Sequence, residues 1–191
     1  MNFIIRIILI SLIFLVTSCS NKPIKKSIVK EKSLDAQVLE AYKEGKAALE
    51  EGDVLFAAKK FNEAEILFPQ SEWAPKSALM AAYSYYIQDY YADSIAELSR
   101  FIKIYTNHED LDYAYYLLAI CYYEQIVDEK KDLQSIINSK KTFEILIKKY
   151  PNSEYSVDAN FKMDLIYDIL ASKEMYVGRY YVKKKKMDIS N

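Results

Sequence analysis

The chain is poor in the residues from which tight turns and ligand cradles are built: of 191 residues only 3 are Gly and 4 are Pro. Phosphate-binding loops, dinucleotide fingerprints and tight hairpins draw on these two residue types, so nucleotide-binding and β-rich folds are disfavoured. Histidine occurs once, as His108. That excludes a zinc site made of paired imidazoles and leaves any Ser-His-Asp arrangement a single residue to rest on. With 26 basic and 27 acidic side chains the net charge is −1, so the molecule has no one-signed field with which to hold nucleic acid. No convergent set of acid, base or metal-binding groups stands out, and neither an enzyme nor a metal site is expected. What the sequence does have is apolar and aromatic: hydrophobic residues make up 51%, and 18 residues are Tyr, enough material for a packed core.

An apolar stretch, broken only by Ser11, follows Arg6 from Ile7 to Val16. It is too short to span a bilayer, which takes roughly 20 residues, and reads as a signal peptide over residues 1–18. Thr17 and Ser18 before Cys19 resemble the bacterial lipoprotein cleavage box, with Val16 where Leu is usual. The resemblance implies a covalent diacylglycerol and an N-acyl chain on Cys19 and no other cofactor. Several acyl chains at about 0.8 kcal/mol per buried CH₂ hold a protein at a membrane persistently. Ser20, in the place where Asp would signal retention, implies delivery to the outer membrane, facing the periplasm. Residues 19–33, with Lys22, Lys25, Lys26, Lys30 and Lys32, read as the lipidated end and a solvated tether reaching at most about 50 Å. Cys121, the only other cysteine, sits in the apolar stretch Leu117–Cys121 and reads as a buried small residue rather than a nucleophile.

From Leu34 onward apolar residues recur at helical spacing. Three series repeat in register: the small residues Gly45, Ala82 and Ala119; the pairs Ala57/Phe61, Ser94/Leu98 and Ser139/Phe143; and the closing dipeptides Phe68-Pro69, Tyr105-Thr106 and Tyr150-Pro151. Small residues let facing helices approach, the large residue four places on fills the space between them, and Pro ends the second helix. The order resembles the tetratricopeptide repeat. It predicts an all-α fold, a right-handed superhelix of helical hairpins with about 7–8 helices over 34–191. The repeats fall at about 35–70, 71–107 and 109–152, with an expansion near Asp128 to Ile137 in the third. The incomplete last unit, 155–191, is expected as one helix from Tyr155 to Ala171 and a further helical segment from Lys173 to Lys186. A coiled coil does not survive Pro69, Pro75 and Pro151.

Stacked hairpins line a concave face with their first helices. A common register places Leu39, Tyr42, Lys46 and Leu49 there from the first repeat and Lys76, Leu79, Tyr83 and Tyr86 from the second. The third contributes Tyr113, Tyr116, Ile120 and Tyr123. Tyrosine joins a large contact area to a hydrogen-bonding tip, so Tyr42, Tyr83, Tyr86, Tyr113, Tyr116 and Tyr123 are candidate peptide-groove residues. The competing reading is that individual rings fill the space between helices.

The segment Asp112–Gln125, with its Tyr122-Tyr123-Glu124-Gln125 end, is more specific than a generic repeat. Together with Ser71-Glu72-Trp73-Ala74, Arg100-Phe101-Ile102-Lys103 and Glu174–Tyr181, it resembles the BamD family of outer-membrane β-barrel assembly lipoproteins. The resemblance implies a non-enzymatic scaffold that binds BamA and other assembly-complex lipoproteins, receives unfolded outer-membrane protein precursors, and sits at the outer membrane through its lipid. Family members usually continue past Tyr180-Tyr181 with hairpins that carry much of the BamA contact. Here docking is expected around Arg179, Tyr180 and Tyr181, or is altered. The alternative is another periplasmic tetratricopeptide lipoprotein, an adaptor in peptidoglycan synthesis or the Tol-Pal envelope system.

Overall fold

A computed structural model describes residues 33–126 and 133–189, with side chains of the last helix as far as Lys186. The signal segment, Cys19, all of the tether but Ser33, and the first part of the expansion in the third repeat lie outside the described residues. Seven helices are described: α1 (Leu34–Glu51), α2 (Val54–Leu67), α3 (Trp73–Tyr86), α4 (Tyr91–Ile104), α5 (Leu111–Glu124), α6 (Leu133–Lys149) and α7 (Glu154–Ile189). Each helix packs on the next along the chain. In addition α1, α3, α5 and α7 touch in succession, forming one rank, with α2, α4 and α6 behind it.

Local chemistry sets the helix ends. Ser33 caps α1 by accepting the Ala36 N–H at 3.3 Å. Gly52 ends the helix at φ 84°, left-handed backbone that glycine adopts at no steric cost. Asp53 then starts α2 by accepting the Phe56 N–H at 3.1 Å, so two residues turn the chain through the first hairpin.

Inside the hairpins the repeated small residues do more than make room. Ser94 Oγ donates to the Ala82 carbonyl at 2.9 Å, and Ser139 Oγ donates to the Ala119 carbonyl at 3.0 Å. In the second and third hairpins the small residue of the second helix is therefore stitched to the small residue of the first. In the first hairpin the equivalent pair, Gly45 and Ala57, has no hydroxyl, and Phe61 lies directly against Gly45. Phe61, Leu98 and Phe143 are all fully buried.

The last unit differs from the expectation of two segments. Residues 154–189 form one uninterrupted helix of 36 residues, about 54 Å long. Nothing between Ala171 and Lys173 breaks it, because Ser and Lys are tolerated in helix interiors. Only its first half packs on the preceding hairpin, through Ala159, Met163 and Ile166. The expansion is also placed more narrowly, since Leu133 to Ile137 already belong to α6. No helix among the described residues is long and apolar enough to cross a membrane.

Candidate functional site

The inner rank of helices carries an open trough of about 510 Å³ lined by Tyr42 from α1, Lys76, Leu79, Met80 and Tyr83 from α3, Asp110 and Tyr113 at the start of α5, and Tyr155 from α7. Helical spacing explains the set from α3: Leu79, Met80 and Tyr83 lie three, four and seven residues after Lys76 and so share its face. Tyr42 is fixed from behind by Phe61 at 5.3 Å and Trp73 at 5.0 Å between ring centroids. The Lys76 ammonium lies 5.4 Å over the Trp73 ring, an arrangement that suits a half-exposed cation. Tyr113 is held by Tyr155 at 5.2 Å. Its backbone N–H is taken by Asp112 Oδ1 at 2.7 Å, while Asp112 Oδ2 accepts from Ser153 Oγ at 2.6 Å. The root of α7 is thereby tied to the trough.

Among the described residues, the hydroxyls of Tyr42, Tyr83, Tyr113 and Tyr155 make no hydrogen bond. Burial raises the pKa of Tyr42, Tyr113 and Tyr155, which keeps these three hydroxyls protonated and able to donate as well as accept. The trough offers apolar floor, hydroxyl tips, one cation and one carboxylate. Chemically it can hold an extended chain by its side chains and backbone.

Of the six predicted groove tyrosines, the structure brings Tyr42, Tyr83 and Tyr113 into the trough, and predicted Lys76 and Leu79 with them. Tyr86, Tyr116 and Tyr123 are set into seams between helices. Tyr86 stands between Tyr83 at 6.4 Å and Tyr91 at 6.2 Å. Tyr116 packs on Phe143 and Tyr155 and donates its hydroxyl to Asp158 Oδ2 at 2.7 Å. Tyr123 lies under the Lys162 ammonium at 5.1 Å. Helical register alone could not separate the two groups, because it does not say how α4 lies against Tyr86 or where α7 lies across α5. Tyr155 was missed for the same reason, though its place four residues after Pro151 was the available signal.

Two further clusters fill out the surface. Behind the inner rank, Arg100 makes a bidentate pair with the buried Glu65, at 2.7 and 2.6 Å, and also binds Glu97 at 2.8 Å. Tyr105 Oη donates to Glu65 Oε1 at 2.6 Å. The carboxylates push the Arg100 pKa up, and burial with the Glu65 bond raises that of Tyr105. Cys121 is buried with its thiol on Ser94 Oγ at 3.3 Å, and burial pushes its pKa up to about 11, the opposite of an activated thiolate. His108 Nδ1 accepts the Asp110 N–H at 3.2 Å, closing the loop that leads into α5.

At the far half of α7, Arg179, Tyr180 and Tyr181 are exposed, with the two rings edge to face at 5.6 Å. They do not form one surface. Consecutive helical residues diverge by about 100°, so Tyr180 and Tyr181 extend the face that α7 packs inward, whereas Arg179 shares a shallow hollow with Met175, Gly178, Val182 and Lys183.

Residues 34–188 match the model of YfiO, the outer membrane lipoprotein family. The chain belongs to the YfiO (BamD) family. Among its relatives, the outer membrane protein assembly factor BamD of Caulobacter vibrioides is 38% identical over 168 residues, covering 88% of this chain and 54% of that protein. BamD of Rickettsia prowazekii is 36% identical, covering 87% of this chain and 64% of that protein. This YfiO-family chain thus spans between about half and two thirds of the length of these relatives. Among solved structures, the first tetratricopeptide domain of Spaghetti (RPAP3), bound to the HSP90 peptide SRMEEVD, superposes with a TM-score of 0.54 at 16% identity. The match covers 71% of this chain and 94% of that one, and it shows the tetratricopeptide fold.

Proposed function

We propose that this YfiO-family chain is a non-enzymatic scaffold in the assembly of outer-membrane β-barrel proteins. It is anchored to the periplasmic side of the outer membrane through lipid on Cys19, binds BamA beside other assembly-complex lipoproteins, and holds unfolded precursor segments. The reading is supported by the names of its relatives, assembly factors in each case, and by one observation above all. A trough drawn from three successive inner helices and the root of a fourth presents four tyrosine hydroxyls that no neighbour uses. A strand-forming segment carries backbone donors and acceptors that go unpaired until its sheet forms. Tyrosine tips can pair with them while the rings cover its apolar side chains, which delays aggregation. Tyr180 and Tyr181 are the proposed contact with BamA.

The test is affinity for barrel-derived peptides. Tyr83→Ala is expected to weaken binding by about tenfold, since truncating a central aromatic anchor costs more than 1 kcal/mol, with little change in melting temperature. Tyr116→Ala is expected to lower the melting temperature and to affect binding less. Equal binding by wild type and Tyr83→Ala would refute the trough as the peptide site. Crosslinking in cells from position 180 reads the BamA contact separately.

A further inference from the structure

The two charges that line the trough stand on opposite sides of it. Lys76 lies over Trp73 at 5.4 Å, and Trp73 packs on Tyr42 of α1 at 5.0 Å, so the ammonium belongs to the side where α1 meets α3. Asp110 belongs to the other side, with Tyr113 and Tyr155. That side is acidic beyond Asp110 itself. Burial, then the charges of Glu154, Asp112 and Asp110, raise the pKa of the Tyr155 hydroxyl, which puts three carboxylates within electrostatic reach of one phenol. Between the two sides, Leu79 and Met80 supply uncharged floor.

Neither charge is used up inside the protein. Lys76 is exposed and, among the described residues, forms no salt bridge; its ammonium rests on the Trp73 ring. The Asp110 side chain is 46% accessible, and the basic group beside it, His108 Nδ1 at 3.6 Å, accepts the Asp110 N–H and so offers no proton. The tyrosine hydroxyls both donate and accept, so they can hold an extended backbone without reading which way it runs. Unlike charges on the two sides can read it. Packed helices stand about 8–10 Å apart, and side chains four places apart on one side of an extended chain stand about 13 Å apart, a difference that long charged side chains take up.

We infer that the trough selects and orients its peptide by charge: it takes extended segments with an acidic and a basic side chain four places apart on one side and an apolar side chain between them, the acid lying at Lys76 and the base at Asp110. The inference rests on the trough being the peptide site, as proposed above, and adds which segments it prefers and which way they lie. Lys76 and Asp110 are then its specificity-determining residues, while the tyrosines and the floor supply contact that any strand-forming segment can use.

Fluorescent peptides of about ten residues test it, identical except at the two charged places, which hold Glu and Lys, two Glu, or two Lys. The wild-type chain is expected to bind the mixed peptide about fivefold more tightly than either of the others, since a half-exposed attraction is exchanged for a repulsion. Lys76→Glu is expected to move the preference to the peptide with two Lys, and Asp110→Lys to the peptide with two Glu. A photocrosslinker beside the Glu of the mixed peptide is expected to label the wild-type chain around Tyr42, and the double variant Lys76→Glu with Asp110→Lys around Tyr155. Circular dichroism checks each fold. Should a cation at the start of α5 unfold the chain, Asp110→Asn replaces Asp110→Lys and is expected to bind the mixed peptide and the peptide with two Glu equally. Equal binding of all three peptides by the wild-type chain, or a preference that neither substitution moves, would overturn the inference, and sensitivity of the same peptides to Tyr83→Ala would then leave the trough as the site. Binding indifferent to Tyr83→Ala would remove the site and the inference together.

Discussion

At Gly45 the two helices of the first hairpin come so close that an added Cβ would stand 2.9 Å from the Cδ1 and Cε1 atoms of Phe61. Phe61 cannot retreat, because it is fully buried and wedged by Tyr42. Gly45→Ala is therefore expected to destabilise the protein by about 1–3 kcal/mol, the usual cost of overpacking, despite Ala being the better helix former. Denaturant titration checks it. Combined with Phe61→Leu, the loss is expected to fall short of the two single losses added together, since the smaller side chain frees the space the methyl needs. The same series reads differently at Ser94 and Ser139, where the small side chain also supplies a donor to the facing backbone. That hydroxyl stitch was not legible in the sequence, for Ser, Ala and Gly are interchangeable as small residues until the facing carbonyl is known.

At the scale of the helix, the Glu65–Arg100 pair ties α2 to α4, two elements whose backbones do not otherwise meet. Arg100→Ala leaves a buried carboxylate with Tyr105 as its remaining described partner, and is expected to cost about 2–3 kcal/mol in urea unfolding. Replacing both partners, Glu65→Leu with Arg100→Met, is expected to be far milder, because no charge is left buried alone. The hairpins themselves were legible: small-large spacing repeated three times, closed by Pro in the first and third copies, leaves little freedom in how helices pair. This clamp was not, since an acid and a base far apart in an evenly mixed sequence give no sign that they meet. Nor was the continuity of α7, because polar residues at Ser172 and Lys173 look like a boundary when only apolar spacing is followed. The candidate site was half legible. Register found the inner face, but which rings remain open on it depends on how the last helix crosses α5.

Across the whole molecule, burial holds many phenols and one thiol in their protonated forms. Tyr105, Tyr113 and Tyr116 are raised well above the ordinary tyrosine range, Tyr42, Tyr86 and Tyr122 less so, and Cys121 reaches about 11. Unfolded, these groups lose protons from about pH 9 for Cys and about pH 10 for Tyr; folded, they keep them. The native state then binds more protons than the unfolded one, so stability falls as pH rises. Melting temperature is expected to be insensitive to these groups below about pH 9 and to drop steeply between about pH 10 and 12. A flat profile to pH 12 would contradict the burial described here. The length of α7 has its own mechanical consequence. The helix is about 54 Å long from its root, so a tilt of about 10° there swings the tip by about 9 Å. Tyr155, in the first turn of the same helix, walls the trough, so one rigid element carries both part of the trough wall and the exposed tip.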